Sequence, residues 1–348
     1  MQTSKNAKVL VIRFSSMGDI VQCFFALPYL QSIAKDTELH WITRNDFFEL
    51  VSLHPLLNKT WNLNREPGFF GGLIGLIRLG LELRTQNYTH IYDAHSNVRS
   101  HILSFILKPS HIFGFNKTFI RRSKNRIKRF LLFKFRIDLF PLPQSMASTY
   151  IKPILSWVDL KSLQSVEVSN YKSFNAPKAI GPQLRDNLYK FMDSILLVPS
   201  ASAELKRWPI DHWKNLILAM PQSQFVVVGG PSDTFCEEIK NVAPQRVQNV
   251  TGQLSWAQSA WLAGQAKTVV SNDTELGHLA DYLGKRTFMF IGPVPFGYPH
   301  RSSTQVLEQT LPCKPCSKHG FDPCKNKELK KCLVDITPQS VAKIVGAN

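Results

Sequence analysis

Three stretches of this sequence join small or hydroxyl-bearing residues to a charged side chain where an apolar run gives way to a helical pattern. The first is Ser15-Ser16-Met17-Gly18-Asp19, directly after the strand-like run Lys8 to Phe14. Small residues and a glycine let the backbone turn tightly. The amides left free at a helix N-terminus, with the helix dipole, favour anionic groups. Ser15, Ser16 and Gly18 are therefore candidates for holding a phosphate or an acceptor group. Asp19 sits at the start of the helix, where it either caps the N-terminus or projects into a cleft. The spacing matches neither a Walker loop nor the Rossmann glycine fingerprint, which disfavours a simple ATP or NAD enzyme.

The second stretch is Pro199-Ser200-Ala201-Ser202-Ala203-Glu204-Leu205-Lys206-Arg207-Trp208-Pro209. A strand ends, the hydroxyls of Ser200 and Ser202 follow, then two cations, then a helix begun near Pro209. Hydroxyls and a lysine at a strand end suit a diphosphate; the plain alternative is a solvated basic loop. The third is Asn272-Asp273-Thr274-Glu275-Leu276-Gly277-His278, again straight after a strand. Asp273 or Thr274 can cap the helix and leave amides for phosphate oxygens. His278 falls one turn inside on the face of Thr274, where a lone histidine is more often a packed or surface residue than a catalyst.

The elements that must position these residues alternate strand and helix, the pattern of parallel α/β layers. Strands are expected at Lys8–Phe14, Glu38–Thr43, His90–Asp93 and His111–Phe115, then at Ser194–Pro199, Phe225–Gly229, Lys267–Ser271 and Arg286–Ile291. Helices are expected at Asp19–Ala34, Gly68–Arg84, Asn97–Leu107, Asp211–Met220, Asp233–Val242, Trp256–Gly264, Thr274–Leu283 and Pro338–Val345, the last able to join either half. A polar stretch with two prolines, residues 171–182, divides the sequence into domains 1–170 and 183–348. Two doubly wound domains place a cleft between the carboxyl ends of two sheets, where ligands of such folds bind.

Composition narrows the partners. Of 348 residues, 42 are Lys or Arg and 25 Asp or Glu, a net charge of +17. No apolar run is long enough for a spanning helix or a signal-peptide core, so a cytoplasmic location is expected. Nine of the cations, and no acid, fall between Lys117 and Arg136, interleaved with Phe, Ile and Leu. Such a stretch, with Arg121, Arg122 and Lys124 as candidates, can rest on an anionic lipid surface or hold acceptor phosphates. The alternative is the solvated face of an ordinary helix; no nucleic-acid partner is expected, since no recognised binding module accompanies the charge. Arg99 is a further candidate for an acceptor carboxylate or phosphate. Cys313-x2-Cys316-x7-Cys324-x7-Cys332 has enough thiolates for a structural zinc site. Unligated thiols or a disulfide are the competing readings, while Cys23 and Cys236 lie in helical patterns and read as small core residues.

In this order and separation, the three stretches resemble glycosyltransferase family 9, the lipopolysaccharide heptosyltransferases. The resemblance also covers Asp93 to Ser100, Val228-Gly229-Gly230-Pro231, Thr251-Gly252 and the tail through Ile336-Thr337-Pro338. It implies a fold of the GT-B type: two Rossmann-like doubly wound domains facing across a cleft, an N-terminal acceptor domain and a C-terminal nucleotide-sugar domain. It also implies an ADP-heptose or related donor, and inversion at the anomeric carbon with no cofactor required. By the resemblance, Asp19 is the general base and Lys206 the cation at the leaving diphosphate, with Ser200 and Ser202 nearby. The segment Asp273, Thr274, Glu275, Gly277 and His278 binds the donor, and Asp233 is a candidate for the ribose. The implied acceptor is an anionic glycolipid, a lipopolysaccharide core precursor at the inner face of the cytoplasmic membrane, which suits a peripheral protein with a basic stretch. One position departs: the family usually has glycine where this chain has Glu275, and a carboxylate there repels the donor unless it points away or pairs with Lys206 or Arg207. The rival readings are a non-catalytic binding protein on the same scaffold and a nucleotide-sugar epimerase.

Overall fold

The computed structural model describes residues 6–64, 69–108, 111–113, 124–140, 143–158, 174 and 194–347. Contacts divide the chain into two compact units, Met1–Phe130 with Ala147–Tyr171, and Leu131–Met146 with Lys172–Asn348. The segment Leu131–Met146 thus groups with the second unit although it precedes residues 171–182 in sequence. Of that polar stretch only residue 174 lies within the described residues.

In the first unit β1 (Asn6–Ile12), β2 (Asp36–Arg44), β3 (Lys59–Leu63), β4 (His90–Asp93) and β5 (His111–Phe113) form a parallel sheet in the order β3-β2-β1-β4-β5. Val9, Leu10, Val11 and Ile12 are wholly buried, as a strand covered by helices on both faces requires. The chain winds outward from β1 through β2 to β3, then returns to β4 on the other side of β1. The switch point lies between β1 and β4, and Ile12 pairs with Asp93 there. The single helix expected over Asp19–Ala34 is two, Met17–Phe24 and Leu27–Gln31. Pro28 explains the break: it lacks an amide to continue the first helix and suits the first turn of the second.

The second unit holds β6 (Gln144–Ser145), β7 (Ile195–Val198), β8 (Phe225–Val227), β9 (Val247–Asn249), β10 (Thr268–Asn272), β11 (Arg286–Phe290), β12 (Phe296–Tyr298) and β13 (Thr304–Leu307). Six of them form a parallel sheet in the order β13-β11-β10-β7-β8-β9, and β12 pairs with β6. Here the winding reverses between β7 and β10. The core is built on Trp208, stacked on Phe290 at 4.4 Å and meeting Trp213 edge-on at 5.1 Å. Val341 and Val345 of the closing helix Pro338–Gly346 enter the same core, which assigns that helix to the second unit. Leu132 is buried against Val294 and Phe296, anchoring the segment that follows Phe130. Cys23 and Cys236 are fully buried, as small core residues should be. Among the described residues no helix is long and apolar enough to cross a membrane.

Candidate active site

In the first unit the chain leaves β1 through Arg13 and Phe14 and enters the helix Met17–Phe24 with Ser16 at the N-cap position. Asp19 does not cap. It sits in the first turn, and its side chain, 35% exposed, forms an ion pair through Oδ2 with Arg13, whose side chain is 7% exposed. Tyr150 donates its hydroxyl to Asp19 Oδ1 at 2.8 Å, and Ser16 Oγ donates to Oδ2 at 3.0 Å. Burial raises the Asp19 carboxyl, but the Arg13 guanidinium and the bonds from Tyr150 and Ser16 outweigh it, so Asp19 is held below its ordinary value. Arg13 Nη1 donates to the Ala94 carbonyl at 2.8 Å, past the end of β4. Arg13 and Tyr150 are the members of this site that sequence reasoning missed. A cation closing an apolar strand was the available signal for Arg13, whereas Tyr150 lies 131 residues from Asp19 and gave none.

The Asp93–Ser100 stretch has a structural role. Asp93 is fully buried. It accepts from the amides of His95 and Ser96 at 3.1 and 2.6 Å and from Ser100 Oγ at 2.8 Å. Asn97 and Ser100 complete a capping box on the helix Val98–Leu107. Arg99 lies exposed on that helix, and Ser15, Ser16 and Gly18 are half-buried or exposed around Asp19.

In the second unit a cavity of about 440 Å³ opens at the carboxyl ends of β7, β8 and β10, beside the β7–β10 switch point. Its size is that of a small-molecule site. Ser200, Ser202, Arg207, Gly229, Gly230, Asp233, Trp256, Thr274 and Glu275 are among its lining residues. Asn272 holds two of its walls together, donating to the Pro199 carbonyl at 2.7 Å and accepting from the Trp208 amide at 2.9 Å. Ser200 donates to Asp233 Oδ2 at 2.6 Å, and that oxygen also accepts from the Gly230 amide at 2.8 Å. A Cβ on Gly229 would stand 2.5 Å from Ser200 Oγ, so this approach requires glycine. The helix expected from Asp233 begins only at Cys236, because Asp233 folds back on Gly230.

Thr274 caps the helix Glu275–Tyr282, accepting from the Gly277 amide. Asp273, just before it, is buried between Lys206 and His278, with Oδ2 2.8 Å from Lys206 Nζ and Oδ1 3.1 Å from His278 Nε2. The contact marks Nε2 as the protonated ring nitrogen. His278 Nδ1 is buried with no hydrogen-bond partner among the described residues. Lys206, Asp273 and His278 form one charged cluster that adjoins the cavity without lining it. Gly277 has a packing role, since a Cβ there would stand 2.6 Å from Ser271 Oγ and 3.1 Å from Met289 Cε. Glu275 gains neither expected partner: Lys206 pairs with Asp273, and Arg207 lies 3.5 Å from Asp233.

The basic stretch is divided. Arg121 and Arg122 lie outside the described residues. Lys124 and Arg126 are exposed on helical residues 124–130, and Arg129 is close enough to Asp19 to feel its charge. Arg136 is exposed but engaged, donating to the carbonyls of Cys313 (3.1 Å) and Pro315. Cys313, Cys316, Cys324 and Cys332 are free thiols. Among the described residues no three metal-ligating side chains are arranged to hold an ion. Cys332 lies in the core around Trp208, where burial raises its thiol to about 11.

Comparison with known proteins decides the family. The profile of Glycosyltransferase family 9 (heptosyltransferase) matches residues 76–324. The chain belongs to this family. It is 25% identical over 300 residues to lipopolysaccharide heptosyltransferase 1 of Campylobacter coli, covering 83% of this chain and 84% of that one. Among solved structures, the E. coli ADP-heptose lipopolysaccharide heptosyltransferase II superposes with a TM-score of 0.68 at 19% identity, over 98% of both chains. The E. coli heptosyltransferase WaaC with ADP gives 0.63 at 17% identity, over 97% of this chain and 99% of that one. The fold is thus of the GT-B class, and the chain is a family 9 glycosyltransferase.

Proposed function

We propose that this glycosyltransferase moves heptose from ADP-heptose to a lipopolysaccharide core precursor, inverting the anomeric centre with Asp19 as general base. The observation that carries the reading is the cavity at the β7–β10 switch point. Its hydroxyls (Ser200, Ser202, Thr274), its Arg207 and the amides at the head of Glu275–Tyr282 offer what a nucleoside diphosphate needs, donors converging on anionic oxygens.

In the proposed step, the O–H bond of the acceptor breaks as its proton passes to Asp19. The freed electron pair forms the new bond to the anomeric carbon. The bond from that carbon to the diphosphate breaks, and its electrons leave on the diphosphate, whose charge Lys206 and Arg207 offset. Asp19 is a weak base, so its service lies in being ionised and aimed at every working pH. His278, paired with Asp273, belongs to the donor-binding segment, and Asp233 at the cavity wall is the acceptor for the ribose. Lys124, Arg126 and the exposed Ile127 and Phe130 suit an anionic lipid surface, which supports a peripheral position at the inner face of the cytoplasmic membrane. Incubation with ADP-heptose and heptose-free lipopolysaccharide tests the reading. Mass spectrometry should find one added heptose, with an anomeric configuration by NMR opposite to that of the donor; an unmodified acceptor beside intact ADP-heptose would refute it.

A further inference from the structure

We propose that Tyr150 and Arg13 are positioning residues that aim Asp19, and that the proton of the acceptor hydroxyl goes to Oδ1, the oxygen not paired with Arg13. The proposal rests on Asp19 being the base, as above.

A carboxylate offers about four lone-pair sites, two on each oxygen. Asp19 Oδ2 is occupied by Arg13 and by Ser16 Oγ at 3.0 Å. Oδ1 accepts from Tyr150 at 2.8 Å, and the Ser16 amide adds a further contact to the carboxylate. Among the described residues, Oδ1, beside the Tyr150 hydroxyl and away from Arg13, is therefore the less occupied site. An incoming alcohol that donates to Asp19 uses that site without displacing Arg13.

The two partners are themselves fixed. Arg13 is buried, with Nη1 on the Ala94 carbonyl and its own carbonyl accepting from Trp41 Nε1 at 3.1 Å. Its guanidinium has Asp19 as its ion-pair partner, so each keeps the other charged. Tyr150 is buried too, and its backbone carbonyl accepts from the Tyr92 hydroxyl at 2.7 Å. Burial lifts the Tyr150 hydroxyl well above its usual range, so it remains a neutral donor. Three elements thus aim one carboxylate: β1 through Arg13, β4 through Tyr92 and the loop after it, and the helix Met146–Ile151 through Tyr150. The other titratable groups near this cluster are Arg129, a cation, and Cys23, whose thiol burial keeps neutral.

Tyr150→Phe and Arg13→Lys test the proposal, with Asp19→Asn as control, using ADP-heptose and heptose-free lipopolysaccharide. Tyr150→Phe should lower kcat about tenfold, leave the donor KM unchanged and move the acid limb of kcat/KM toward neutral pH. Titration of the 13C-labelled Asp19 carboxyl, assigned by its absence in Asp19→Asn, should show the same displacement without substrate. Arg13→Lys keeps the cation and should hold the carboxyl near its native value, whereas Arg13→Met should raise it. A purely structural Tyr150 would change stability but leave the limb and the titration where they were. Native kcat and titration in Tyr150→Phe, with Asp19→Asn inactive, would overturn the proposal and spare the general base. Native turnover in Asp19→Asn would instead refute the base assignment.

Discussion

Lys206 Nζ lies 2.8 Å from Asp273 Oδ2, with the lysine side chain 16% exposed and the aspartate 6%. The cation that the family resemblance assigns to the leaving diphosphate is thus already engaged by an acid of the donor-binding segment. Asp273 also faces His278, so a negative charge beside Lys206 is shared by two partners. A bound diphosphate would compete with Asp273 for Lys206 or complete a second contact to it.

Lys206→Ala should therefore both weaken ADP binding and destabilise the second unit. Burial raises the Asp273 carboxyl, but Lys206 and His278 outweigh it and hold it below its ordinary value. A carboxyl depressed by folding contributes stability above its unfolded pKa of about 4, and the contribution is lost as pH falls through the folded value. Removing one partner of a buried pair costs about 3 kcal/mol. Urea denaturation should show a deficit of that order for Lys206→Ala near neutral pH, narrowing below about pH 4. A deficit independent of pH would mean that lost packing, not charge, is responsible.

Glu275→Gln should tighten donor binding. Glu275 lines the cavity and forms no ion pair among the described residues, so a diphosphate there meets an uncompensated carboxylate. A charge pair 8 Å apart at an effective dielectric of 20 is worth about 2 kcal/mol, more than tenfold in affinity. Calorimetry with ADP should show a gain toward that size; an unchanged Kd would place the carboxylate away from the phosphates.

Much of the fold was legible in the sequence because its strands are continuous apolar runs and its functional loops follow them directly. The loops after β1, β7 and β10 stand at the two switch points that the strand order creates. Where the reading fell short, the cause was tertiary or local. Pro28 divides a helix whose apolar pattern runs on without a break. β3, Lys-Thr-Trp-Asn-Leu, is short and half polar, and pairing with β2 makes it a strand. The bond from Tyr150 to Asp19 joins distant residues, and the partners of Glu275 depended on Lys206 and Arg207 choosing Asp273 and Asp233. Thr274 as the cap was legible; Gly277 as a packing glycine needed the position of Ser271.

Gly277→Ala should destabilise rather than abolish phosphate contact. The added Cβ would meet Ser271 Oγ at 2.6 Å, with the Asn272 carbonyl and Met289 Cε each at 3.1 Å. Overpacking of this kind costs about 1–3 kcal/mol. Chemical denaturation should show the loss, with donor affinity of the folded protein little changed; a large loss of affinity at native stability would restore a direct donor role.

Cys332→Ser should lower stability by about 1–3 kcal/mol, the cost of a buried hydroxyl without a partner. Treatment with a strong chelator should leave the melting temperature unchanged. Release of bound metal together with a fall in Tm would make the four C-terminal cysteines a ligand set after all.

The most direct test of the account is single-turnover transfer by Asp19→Ala, with ADP-heptose saturating and heptose-free lipopolysaccharide as acceptor. A general base contributes on the order of 10²–10⁴ in rate, so transfer should slow by that factor while calorimetry returns the native Kd for ADP-heptose. Transfer at the native rate would contradict the account.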